Sequence, residues 1–255
     1  MPTVAFVHAH PDDEAIFTGG TMRRLADAGV RVVLVVATGG ELGSASEGGG
    51  DIADLGRHRL AETRRAADAL GVAEVYALGY RDSGMAGDPA NDAPGSLWRA
   101  PATGVAAALV GLLDDEPRLG AVVGYDSGGI YGHPDHVRVH QAVHMAADWL
   151  GITTVYDATV DREHLHFVET HLVEEALSDD LGLVRSRLGV PSVEVTTTVD
   201  VTGVLDVKRA AMAAHASQIP ETTSAMLLPL HHFAEVYGVE WYVRMGAPGP
   251  LDELS

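Results

Sequence analysis

Cysteine is absent from the 255 residues. That excludes disulfides, thiolate zinc sites and cysteine nucleophiles, so any metal must be held by histidine and carboxylate. Basic side chains are scarce: 17 Lys and Arg stand against 36 Asp and Glu, a formal net charge of −19. A chain this acidic suits neither a phosphate backbone nor an anionic membrane surface, so a small molecule is the expected partner and nucleic acid and membrane are not. No run approaches the roughly 18 apolar residues of a membrane span, and no basic segment precedes the first apolar strand. A soluble, cytoplasmic protein is expected. Its oligomeric state, a homo-oligomer included, cannot be read from the sequence.

What is present is a hydrophobic share of 46% over a length that suits one sizeable α/β domain, and residues 1–255 are read as a single domain. Short apolar runs alternate with amphipathic stretches, the pattern of βα units on a parallel sheet. Strands are expected at Val4–Val7, Arg31–Ala37, Glu74–Leu78 and Leu119–Gly124. Helices are expected at Glu14–Ala28, Arg57–Leu70, Ala102–Leu113 and Asp135–Leu150. The last third reads as a helix over Arg162–Leu177, an extended run over Ser192–Val201, a helix over Val204–Ala216 and a strand over Val239–Met245. These are expected to complete the sheet and wall the site. The fold class is therefore α/β, Rossmann-like, with a mainly parallel sheet and helices on both faces. Gly39–Gly56 and Arg81–Pro101 are long loops, which in a compact domain are usually functional or mobile.

His8-Ala9-His10-Pro11-Asp12-Asp13-Glu14 stands at the carboxyl end of the first strand, where open α/β sheets bind their ligands. Pro11 biases His10 to an extended conformation, so a sharp strand-to-helix turn can gather several side chains. Taken alone, Asp12 or Asp13 could merely cap the next helix. Tyr131-Gly132-His133-Pro134-Asp135-His136 repeats the arrangement after another strand. Two such turns at one sheet edge would bring together His10, Asp13 and His136, two imidazoles and a carboxylate with a position left open for water. A metal held there lowers the pKa of its bound water toward neutrality. Asp12 beside it would serve as general base. His133, if protonated, would stabilise an oxyanion and later protonate a leaving amine, with Asp135 orienting or charging it and Tyr131 donating to the same oxygen.

His10-Pro11-Asp12-Asp13-Glu14 and His133-Pro134-Asp135-His136 resemble the two motifs of the PIG-L (LmbE-like) family of N-acetylglucosaminyl deacetylases. The resemblance extends through Arg59–Arg64, Leu70-Gly71, Leu78–Met85 and Lys208–Gln218, and the segments outside the motifs are similar to actinobacterial members of mycothiol metabolism. It implies a Zn2+-dependent hydrolase (Fe2+ or Co2+ also suit the donors) with an N-acetyl sugar as substrate. It further implies His10, Asp13 and His136 as ligands, Asp12 as base, His133 as electrophile modulated by Asp135, and sugar contacts from Arg64 and Asp82. Arg64 also reads as a solvated helix residue and Asp82 as a turn residue. Met85 is a candidate pocket residue, as is His215 late in its helix. The loop Thr38–Ser44 lacks the further acidic residue of the mycothiol-pathway deacetylase and the chain is shorter, which leaves the substrate's second half open. An amidase acting on a mycothiol conjugate, or a non-catalytic α/β binding protein, are the alternatives. The second lacks the Gly-x-Gly-x-x-Gly a dinucleotide site wants.

Overall fold

Short valine-rich runs bounded by glycine and polar residues favour strands buried on both faces. The computed structural model, which describes residues 2–43, 52–171 and 188–254, places such runs at the centre of its sheet. In chain order come β1 (Thr3–His8), α1 (Asp13–Phe17), α2 (Gly19–Asp27), β2 (Arg31–Thr38), α3 (Ile52–Leu70), β3 (Glu74–Tyr80), α4 (Ala102–Leu113) and β4 (Leu119–Tyr125). They are followed by α5 (Gly129–Gly132), α6 (Pro134–Leu150), β5 (Val155–Thr159), α7 (Arg162–His171), β6 (Thr197–Asp200), α8 (Leu205–Ala214), α9 (Ser224–Leu227), α10 (Leu230–Tyr237) and β7 (Val239–Met245). The part of the expected Arg162–Leu177 helix beyond His171 lies outside the described residues.

The strand order is β3-β2-β1-β4-β5-β7-β6. The first five strands are parallel, while β7 runs antiparallel to both β5 and β6. The chain therefore winds outward from β1 in both directions, and the β1/β4 junction is the switch point outside whose carboxyl ends ligands bind. Alternation along β1 feeds two cores: Val4 and Phe6 join Met22, Leu34, Leu70 and Tyr156 on one face. Ala5 and Val7 join Val35, Leu109, Val139 and Val143 on the other. The α/β class with helices on both faces is as expected, and the C-terminal segment completes the sheet through β6 and β7.

The first expected helix is broken. Thr18 takes φ −138°, ψ 4° between α1 and α2, and its Oγ1 lies 3.2 Å from Glu14 O and 2.8 Å from His8 Nε2. α2 then starts afresh on Gly19-Gly20, with the Glu240 carboxylate of β7 accepting from Gly20 N and Thr21 N at 2.8 Å each. An anion at a helix N-terminus satisfies donors that have no intrahelical partner. The glycines, costly in one continuous helix, permit this approach: a Cβ on Gly20 would lie 2.4 Å from Val201 Cβ. The extended run expected over Ser192–Val201 is instead a 3-10 turn at Ser192–Glu194 followed by β6. α10 is a helix not expected from the sequence, and Leu230, Phe233, Ala234 and Tyr237 recur in it at helical spacing behind Pro229.

Gly20→Ala is expected to lose about 1–3 kcal/mol of stability through overpacking, with part of the loss recovered in Gly20→Ala/Val201→Ala. Urea unfolding of the three variants reads both numbers, and additive losses would refute the close approach.

Candidate active site

The turn after β1 is held in a conformation that the residue type does not favour. Asp12 has φ +100°, a left-handed value uncommon for a non-glycine residue and sustained only when its surroundings impose it. Three neighbours do so. Glu14 Oε2 accepts from Asp12 N at 3.0 Å, and Glu14 Oε1 lies 2.5 Å from His215 Nε2. Arg59 of α3 donates through Nη2 to Pro11 O at 2.6 Å and to Asp12 Oδ2 at 3.1 Å, and through Nη1 to Gly40 O. Asp12 stands at the cap position of α1 yet makes no side-chain cap. Burial pushes its carboxyl up to about 7, against the opposing charge of Arg59.

Asp13 is where the two motifs meet. Its Oδ2 accepts from His10 N at 2.9 Å and from the Tyr125 hydroxyl of β4 at 2.7 Å. The same oxygen lies 3.3 Å from both His10 Nδ1 and His136 Nε2. Burial would raise this carboxyl, but His136 and His10 outweigh it and hold Asp13 well below its ordinary range. Tyr125 also accepts from Ala9 N at 2.8 Å and stacks on His136, with ring centroids 4.0 Å apart. His8, fully buried, lies behind the site, 3.1 Å from Tyr125 Oη, and burial pushes it down to about 4.

On the second turn Pro134 opens α6 and His133 caps it, with Nδ1 accepting from Asp135 N at 3.2 Å. A neutral His133 therefore carries its proton on Nε2. Burial, then the neighbouring His10 and His136, push this ring down to about 3. Both the hydrogen bond and the shift favour a neutral ring over a protonated one. The Asp135 carboxylate does not lie on His133: Oδ2 is 3.2 Å from His10 Nε2 and accepts from Ser83 N at 2.9 Å, while Oδ1 accepts from Ser83 Oγ. Tyr131 brings its hydroxyl to 3.4 Å from His136 Nε2.

A cavity of about 810 Å³ opens over this cluster, and His10, Asp12, Asp13, Tyr131 and His133 line it. Asp82 and Met85 reach it from the loop after β3. Asp82 is fixed by Gly84 N at 2.8 Å and Leu42 N at 3.2 Å, and Oδ1 lies 3.7 Å from His10 Nε2. Arg64 and His215 do not line the cavity. Arg64 is exposed on the outer face of α3, and His215 is enclosed behind the turn against Glu14. The arginine facing the cavity is Arg59, five residues earlier, to which the sequence pattern alone gives no role. Its signal is helical phase: Arg59, Thr63 and Ala66 share the buried side of α3, and Arg64 does not.

The donors suit a transition-metal dication. Asp13, Asp82 and Asp135 crowd His10 and call for positive charge. Although burial opposes it, a proton on His10 is held well above its ordinary range by these carboxylates. A divalent cation would answer the same demand in the proton's place. With Asp135 on Nε2, His10 presents Nδ1 toward Asp13 and His136, the outer-partner arrangement by which a carboxylate orients a metal-binding imidazole. His10, His133 and His136 also bring ligand atoms within 4.8 Å of one another.

The family model described as PIG-L, GlcNAc-PI de-N-acetylase, matches residues 5–147. The chain is 39% identical over 261 residues to the 1D-myo-inositol 2-acetamido-2-deoxy-alpha-D-glucopyranoside deacetylase of Acidothermus cellulolyticus, covering 95% of this chain and 88% of that protein. Among solved structures it resembles N,N'-diacetylchitobiose deacetylase from Pyrococcus horikoshii, with a TM-score of 0.62, 26% identity and coverage of 99% and 88%. GalB, the 4-carboxy-2-hydroxymuconate hydratase of Pseudomonas putida KT2440, has the same TM-score of 0.62 at 17% identity, covering 98% of each chain. At that identity the likeness is one of fold alone.

Tyr125→Phe, which removes a hydrogen bond to Asp13 and strands Ala9 N, is expected to weaken affinity for a divalent transition metal roughly 10- to 100-fold at a stability cost of about 1–3 kcal/mol. Chelator competition and thermal melting measure the two effects separately. Wild-type metal affinity in the variant would show that Tyr125 does not support the ligands.

Proposed function

The chain belongs to the PIG-L family, and from that premise we propose that it is a metal-dependent hydrolase removing the acetyl group from an N-acetylglucosaminyl-type substrate. The observation that carries the reading is the convergence of His10 Nδ1 and His136 Nε2 on Asp13 Oδ2 beneath the cavity, with Asp12 beside them. His10, Asp13 and His136 would hold the metal. Zinc is the proposed ion, since two imidazoles and a carboxylate with an open position suit it, and the same donors accept Fe2+ or Co2+. When bound, such an ion supplies Lewis acidity, polarising the amide carbonyl and acidifying water.

The chain's own groups then divide the remaining work. Asp12, with a carboxyl near 7, takes the proton of the attacking water. His133 is neutral, and its Nε2–H donates to the oxyanion that forms on the amide carbon. A neutral imidazole spends no second proton on the leaving amine, so Asp12 returns the one it took. Tyr131, whose phenol burial holds well above its ordinary range, stays protonated as a further donor to that oxygen. Asp82, Met85 and, in place of Arg64, Arg59 are the proposed sugar contacts. The cavity exceeds what one sugar ring fills, and Val160, Leu165, Val236 and Trp241 in its lining suit an aglycone with an apolar part. The whole chain is proposed to act as one domain, supported by the shared sheet, and in the cytoplasm. No helix among the described residues is long and apolar enough to cross a membrane.

Acetate release across N-acetylglucosaminides differing in aglycone tests the reading, and no release from any of them, with zinc bound, would overturn it. Asp12→Asn is expected to keep the metal and lose roughly 10²–10⁴ in turnover, together with the acid limb of the pH profile. In the wild type that limb falls as pH drops and Asp12 takes a proton. His133→Ala is expected to lose roughly 10²–10³ in kcat while retaining that limb. Loss of the limb in His133→Ala, with retention in Asp12→Asn, would reverse the two roles.

A further inference from the structure

On the side of α6 turned away from the cavity, His140 and His144 stand four residues apart on one helical face, opposite Asp157 of β5. His144 Nε2 is 2.8 Å from Asp157 Oδ1, and His140 Nδ1 is 3.6 Å from the same oxygen. The two rings have centroids 4.4 Å apart, and one ligand atom from each of the three residues falls within 4.8 Å of the others. We propose that His140, His144 and Asp157 form a second binding site for a divalent transition metal, separate from the cavity, which ties α6 to β5.

Imidazoles at i and i+4 share one face of a helix and chelate a single ion, and a carboxylate from a neighbouring element completes a three-donor set. His140 is held in place by the backbone. Its Nδ1, the nitrogen nearer Asp157, donates to the backbone carbonyl of Tyr125 at 2.9 Å, a hydrogen bond that an ion bound through Nδ1 would replace. Asp157 is enclosed, at 8% side-chain exposure, whereas His140 and His144 are 21% and 29% exposed. A hydrated ion thus reaches the imidazoles from solvent while the carboxylate anchors it from within. Burial would raise the Asp157 carboxyl, but the two histidines hold it below its ordinary range, so its charge is available. The neighbouring Asp126 is committed elsewhere: Oδ1 accepts from Gly128 N and Ile130 N, and Oδ2 from Thr159 Oγ1. Two nitrogens and one oxygen favour zinc, copper(II), nickel or cobalt over magnesium or calcium. α6 also presents His133 and His136, and β5 ends at Thr159 on the cavity wall. An ion across α6 and β5 therefore stiffens the frame of the first site without touching the reacting atoms.

Zinc titration of the full chain against a chromophoric chelator, with bound metal counted by mass spectrometry, tests the proposal. Wild type is expected to take up two equivalents, and His144→Ala and Asp157→Asn one each, with affinity at the affected site reduced tenfold or more. Acetate release by His144→Ala should be unchanged. His136→Ala, deprived of the first site, should still bind one equivalent and melt at higher temperature when zinc is added, and His136→Ala/His144→Ala should do neither. Failure of His136→Ala to bind zinc in excess would overturn the proposal, as would two equivalents in His144→Ala or an equal zinc-dependent rise in melting temperature in the single and double variants. Because His136→Ala reads only the second site, failure there is distinguishable from failure of the cavity site.

Discussion

One carboxylate oxygen, Asp13 Oδ2, joins the two halves of the molecule. It receives the His10 amide from its own turn and the Tyr125 hydroxyl from the end of β4, and faces nitrogens from β1's turn and from α6. So much polarity is sustained in a buried place because each neighbour is a donor or a positive charge; a buried carboxylate without such partners would be protonated or would cost several kcal/mol. Its position follows from topology. β1 and β4 are adjacent only because the chain crosses the sheet there, and their parallel pairing brings both carboxyl ends to one edge.

The supports behind this oxygen show how a strained turn is sustained. Asp12 at φ +100° would relax in a free peptide. Here its amide is held by Glu14, Glu14 by His215, and the flanking carbonyls and carboxylate by Arg59. These residues come from α1, α8 and α3, so three helices must be docked before the turn is stable. His215 and Arg59 thus belong to the same frame, one behind the turn and one beside it. The buried Lys208–Glu240 pair repeats the logic at α2, where Glu240 satisfies both Lys208 and the helix N-terminus.

The parts of this arrangement legible in the sequence are those that local pattern determines. β1, β2, β4 and β7 are runs whose composition admits little else, and the two His-Pro-Asp turns announce themselves by position after a strand. The break at Thr18 was not legible because its cause, Glu240, is 220 residues away along the chain from Gly20. Assigning Asp135 to His133 was the natural reading of neighbours in sequence. A helix start, however, sends successive side chains in different directions, and Asp135 reaches His10 and Ser83 instead. Arg64 was singled out by likeness of its segment, whereas burial selects Arg59 on the opposite side of the same helix. The difference is one of helical phase, which needs a fixed reference for the buried face.

The placement of Asp135 has a consequence for the chemistry. Had its carboxylate lain on His133 Nδ1, the ring would have been held as an imidazolium, able both to stabilise an oxyanion and to give up a proton. With a backbone N–H on Nδ1 instead, the proposed mechanism has a neutral ring that donates from Nε2 and has no proton to release. The carboxylate is spent on His10, where it fixes which nitrogen faces Asp13. In the proposed mechanism proton traffic is then left to Asp12, whose burial brings its carboxyl near neutrality and whose contact with Arg59 keeps it from rising further. A carboxyl poised near the working pH can accept a proton and return it with little cost either way. On that proposal the geometry trades a second acid for a better-oriented ligand, and one side chain carries the proton in both directions.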